Sequence, residues 1–125
     1  MPAAKDMVNG RDLGRIGTTD TIKWRVEVPI GASGATGTLV DGPNGIAVAK
    51  SDTGIYAVTG MPLTPAGKGK FSFGLYSPTP TVGSVVVQAY SGTAGTMTIA
   101  TCVGVTPTEP ASGDKIWIYF EGEGA

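Results

Sequence analysis

The chain has 125 residues, a formal net charge of −1 from nine basic and ten acidic residues, one cysteine and no histidine. That length suits one domain with a single core, and balanced charge without a basic block argues against a nucleic-acid binder. Lacking histidine, the chain has neither the usual general base nor the commonest metal ligand, and one cysteine makes no internal disulfide or two-cysteine metal motif.

Twenty glycines and nine prolines, with abundant Thr and Val, favour many short strands joined by tight turns. The 41% hydrophobic content argues against disorder. No stretch approaches the roughly 20 apolar residues of a membrane-spanning helix. "MPAAKDMVNG" has no apolar export core, so the expectation is a protein made and retained in a reducing cytosol, away from membranes.

Residues 1–20 mix charges of alternating sign with Met7, Val8, Leu13 and Ile16, and Gly10, Gly14 and Gly17 interrupt any helix. The reading is an extended N-terminal arm, followed by a β-domain over residues 21–125. "TIKWRVEV" opens that domain with the cleanest alternation in the chain: Ile22, Trp24, Val26 and Val28 on one face, Lys23, Arg25 and Glu27 on the other. After the loop "PIGASGATG", the "DGPNG" turn introduces "IAVAK", which "SDTG" turns into "IYAVT" as a hairpin. "KFSFGLYS" puts Phe71, Phe73 and Leu75 together. "SVVVQAYS" does the same for Val85, Val87 and Ala89, and "TMTIATCV" for Met97, Ile99, Thr101 and Val103. "TPTEPASG" reads as a proline-marked loop before the last strand.

This spacing predicts an all-β, antiparallel sandwich of about eight strands, jelly-roll-like in its strand number. An immunoglobulin-like sandwich ranks second, because its Cys…Trp…Cys pattern is absent.

Nothing along the chain assembles a catalytic motif. No G-x-S-x-G elbow occurs, and in "AGKGK" Gly69 stands where a phosphate loop needs Ser or Thr. Cys102 lies within a strand and reads as a small buried hydrophobe. Asp41 and Asp52 in turns and Glu121 and Glu123 near the end read as solvated carboxylates. The expectation is a non-enzymatic protein with no cofactor and no metal.

The last strand, "KIWIYFEG", is apolar on both faces. If Ile116, Ile118 and Phe120 line the core, Trp117 and Tyr119 stand outside. Burying an aromatic ring removes about 150–250 Å² from water, a gross gain of roughly 4–6 kcal/mol per ring. Two wet rings side by side would make a sticky patch, so cover is expected from the arm, a second subunit or a planar sugar.

"VPIGASGATG", "TGIYAVTGMP" and "GSVVVQAYSGTAGTMTIATCVGVTPTEPASGDKIWIYFEG" together resemble small structural proteins of tailed bacteriophages, in particular capsid cement (decoration) proteins. Gly54, Tyr56 and Val58 fit their Gly-x-Tyr-x-Val strand; Val85, Val87, Thr96, Thr98, Ser112, Gly113 and Asp114 fit the later strands and loop. The resemblance implies a virion component on the capsid surface, assembled in the host cytoplasm. It also implies partners in the major capsid protein and in a homodimer or homotrimer of the chain. Arg11, Leu13, Arg15 and Ile16 of the arm are the expected capsid or neighbour contacts, and Trp117 and Tyr119 the expected anchors of a subunit interface. The alternative is a tail or head-fibre module binding host carbohydrate, with Tyr56, Tyr76, Tyr90 or Trp117 as stacking platforms.

Overall fold

A computed structural model describes residues 21–124 and, for backbone alone, Met7–Val8 and Gly10–Arg11, which bridge to each other. The expected arm contacts, the Arg11 side chain and Leu13, Arg15 and Ile16, lie outside the described residues. Residues 21–124 form eight strands: β1 (Thr21–Pro29), β2 (Ala47–Asp52), β3 (Ile55–Thr59), β4 (Gly69–Tyr76), β5 (Ser84–Ser91), β6 (Thr96–Val103), β7 (Thr106–Pro107) and β8 (Lys115–Glu123).

Two antiparallel sheets result. One has the order β1-β8-β4; the other runs β2-β3-β6-β5, with β7 added to β6 beyond the end of β3. Their inner faces meet in one core: Val26 and Val28 of β1 and Ile116 and Ile118 of β8 pack with Tyr56 and Val58 of β3 and Met97 and Ile99 of β6. This is the all-β sandwich that the alternating strands predict.

Counting strands leaves their order open, and the order is informative. The hairpins β2–β3 and β5–β6 stay within a sheet, while the links β1–β2, β3–β4, β4–β5 and β7–β8 cross between sheets. Strand number alone leans to a jelly roll, with an immunoglobulin-like sandwich second; the order observed within the sandwich is the immunoglobulin-type arrangement. There β2-β3-β6-β5 stands for A-B-E-D and β4-β8-β1 for C-F-G, with the closing strand moved to the front of the chain. Cys102 is buried but, being alone, supplies no inter-sheet bridge.

Polar stitches fix the loops at the end where β8 begins. Buried Asp114 accepts three hydrogen bonds on Oδ2, from Ser77 Oγ at 3.0 Å, Thr81 Oγ1 at 3.2 Å and the Ala111 N–H at 3.0 Å. One carboxylate thus ties the β4–β5 loop to the β7–β8 loop. Tyr56, fully buried, donates its hydroxyl to the Gly34 carbonyl at 2.7 Å and so anchors the 3₁₀ turn Ala32–Gly34. Burial first, then the Glu109 and Asp114 carboxylates, push this phenol from its usual value of 10.0 up to about 12.

One strand departs from simple alternation. A register shift across Gln88 bulges β5. Val87 stands opposite Ile99, but Ala89 then stands opposite Thr98 and Tyr90 opposite Met97. Ala89 is therefore turned outward, and Tyr90 replaces it on the inner face, edge-on to Phe71 with centroids 4.8 Å apart.

Candidate interaction surface

The outer face of the three-stranded sheet is built by register. Along the central strand, Lys115 stands between Pro29 and Tyr76, Trp117 between Glu27 and Gly74, Tyr119 between Arg25 and Ser72, and Glu121 between Lys23 and Lys70. With Ile116, Ile118 and Phe120 committed to the core, the two-residue period forces both rings outward. The structure brings Trp117 and Tyr119 together on this face; they neither enter the core nor separate.

Gly74 decides how the rings lie. A Cβ there would sit 3.3 Å from Trp117 Cε3 and 3.6 Å from Tyr119 Cε2, so both rings lean over the edge strand β4 where a side chain is missing. Trp117 is half-buried as a result, whereas Tyr119 remains 39% exposed and neighbouring Tyr76 49% exposed. Ion pairs frame the rings: Lys115–Glu27 at 3.6 Å, Arg25–Asp41 at 3.6 Å and Lys23–Glu121 at 4.0 Å. Pairs this open to solvent add little stability, but they keep the rim of the patch hydrated.

Beside Tyr119, towards the Thr21 end, lies an open hollow of about 600 Å³. It is lined by Tyr119 with Lys23, Arg25, Lys70, Ser72 and Glu121, and by Trp24, Phe71 and Phe120, whose rings turn to the core side of the sheet. Beneath it Trp24 stacks on Phe120 with centroids 5.4 Å apart, and Phe71 tilts against Phe120 at 5.0 Å.

Of the tyrosines considered as stacking platforms, Tyr56 is excluded by full burial. Tyr76 and Tyr90 are accessible on the edge strands β4 and β5. Sequence reading missed Gly74, the small outer residue of β4 that makes room for the rings, and the exposed Ser72 two positions before it. Their signal was the small–large alternation in "KFSFGLY". Among the described residues, no group of three or more His, Cys, Asp or Glu could hold a metal ion. No family model matches this sequence, and no curated protein or solved structure matches it.

Proposed function

We propose that the protein is a non-enzymatic capsid cement (decoration) protein of a tailed bacteriophage, which bridges capsid subunits and stabilises the shell. The observation that carries the binding role is the pair Trp117 and Tyr119, held outside a complete core on the most regular sheet of the domain. Aromatic rings on a rigid platform with a charged rim are the usual composition of an interface anchor. The virion assignment rests on the sequence resemblance. In this reading the rings anchor contacts between copies of the chain, while Arg11, Leu13, Arg15 and Ile16 reach the major capsid protein. Several weak contacts made at once suffice for attachment, and binding only the assembled shell stabilises it by mass action.

The test is addition of purified protein to expanded capsids lacking it. Saturable uptake with a raised capsid melting temperature is expected. No bound copies at micromolar protein would refute the reading.

The hollow beside Tyr119 favours one second reading, a tail or head-fibre module for host carbohydrate. Tyr119 with Ser72, Lys70 and Glu121 around the hollow gives the mixed aromatic and polar chemistry of a sugar site. A saturable change in tryptophan fluorescence on adding cell-wall polysaccharide, without capsid uptake, would select it.

A further inference from the structure

We infer that the free edge of β4 pairs with the same edge of a second copy across a twofold axis, joining two three-stranded sheets into one of six strands. The inference deepens the proposed function, which expects self-association, by naming the surface and the geometry.

The four sheet edges are not alike. On β1, Glu27 and Val40 exchange backbone hydrogen bonds of 2.9 and 3.0 Å, and the Gly37 N–H donates to the Pro29 carbonyl at 2.8 Å. The following loop therefore covers that edge from Glu27 onward. On β2, the Val48 carbonyl accepts the Thr36 hydroxyl at 2.9 Å, and the register slips between Lys50 and Asp52. The edge of β5 is bulged at Gln88.

Among the described residues, the β4 edge has none of these protections. It pairs with β8 over eight consecutive positions without a shift. Among the described residues, no backbone hydrogen bond outside the sheet reaches residues 69–76. Lys70 is its only charged residue. A long, regular, nearly uncharged edge is a template for another strand.

The sequence of β4 suits its own copy. Keeping Phe71, Phe73 and Leu75 inward in both protomers requires pairs of like parity. The register centred on Phe73 uses nearly the whole strand. It sets Phe71 against the partner's Leu75, Ser72 against the partner's Gly74, and Lys70 against the partner's Tyr76.

The two Lys70 residues then lie six positions apart, about 20 Å, well beyond the roughly 8 Å screening length at physiological salt. Each ammonium faces an exposed tyrosine ring instead of a like charge. On the outer face the two β8 strands come within about 14 Å of each other, three strand spacings of about 4.8 Å. The leaning Trp117 and Tyr119 rings of both protomers meet there over Ser72 and Gly74. The second copy thus supplies the cover that the exposed rings lack.

The test is native mass spectrometry and light scattering on the full chain, with Ser72→Lys and Ser72→Glu as variants. Ser72 is exposed, so both variants should keep the wild-type circular dichroism and melting temperature. Across the twofold the two introduced charges sit as diagonal neighbours, roughly 7–8 Å apart. Each variant alone should weaken dimerisation at least tenfold, and an equimolar mixture of the two should restore it. A monomeric or trimeric wild type, variants that dimerise like wild type, or a mixture that fails to restore the dimer would each overturn the inference. No capsid enters the experiment, so failure here leaves the cement reading to its own test.

Discussion

The outer face of the three-stranded sheet carries Lys23, Arg25, Lys70, Lys115, Glu27 and Glu121 around the rings of Trp117, Tyr119 and Tyr76. The outer face of the other sheet is made of Ala47, Ala49, Ala57, Thr98 and Ala100 with Ile55 and Val86, and strands β3, β5 and β6 hold no charged residue at all. Both faces arise from the same two-residue period over one core. What differs is how each treats its bulky side chains. The small-residue face is nearly closed at its centre: Ala100, outward between Ile55 and Val86, is completely buried. The other face leaves Tyr119 and Tyr76 open and surrounds them with hydrated ions. A rim of charge around accessible rings is the pattern of a contact surface; the small-residue face, where Val86 also stands open, has no such rim.

The largest effect that would test this contrast comes from placing a charge at the closed centre. Ala100→Asp should destabilise the domain by roughly 2–4 kcal/mol, because a carboxylate there has no partner and no open path to water. Urea unfolding measures it, and a near-neutral result would show that this face is as open as the other.

The next effect belongs to the core beneath. Tyr56 keeps its proton up to about pH 12 in the folded state, against 10.0 for the ordinary phenol. Its contribution is therefore fully present below pH 10 and is lost as pH rises towards 12, by roughly 2–3 kcal/mol over that interval. Tyr56→Phe should flatten this alkaline loss, as read by melting temperature against pH.

Smallest of all, Lys23→Ala on the charged face should change stability by less than about 0.5 kcal/mol, since both it and its partner Glu121 are exposed. A larger loss would mean that the ion pairs hold the sheet together instead of merely rimming the rings.

Much of this architecture is legible in the residues. The alternation in "TIKWRVEV" fixes which side chains of that strand enter the core, because a one-residue slip would expose every one of them, and in "KIWIYFEG" it divides the residues into two sets. If Ile116, Ile118 and Phe120 are the inner set, Trp117 and Tyr119 stand outside, and that is the set the core takes. Other features are not local properties and escape such reading. The bulge at Gln88 has no marker in "SVVVQAYS", so alternation assigns Ala89 inward and Tyr90 outward, the reverse of what occurs. Asp114 looks like one more loop carboxylate, yet it is buried because Ser77 and Thr81, more than thirty residues earlier, fold against it. Strand order is likewise set by how sheets close around the core, which strand count and turn chemistry do not encode. The role of Gly74 lies between these cases: its strand is evident, but the closeness of the Trp117 ring needs the register with β8.

Hydroxyl-radical footprinting of the full chain, from dilute to concentrated solution, compares the two faces directly. If the three-stranded sheet is where another polypeptide binds, Tyr76 and Tyr119 should lose reactivity on association while Val86 of β5 stays unchanged. Protection of Val86 with undiminished oxidation of Tyr119 would contradict the account.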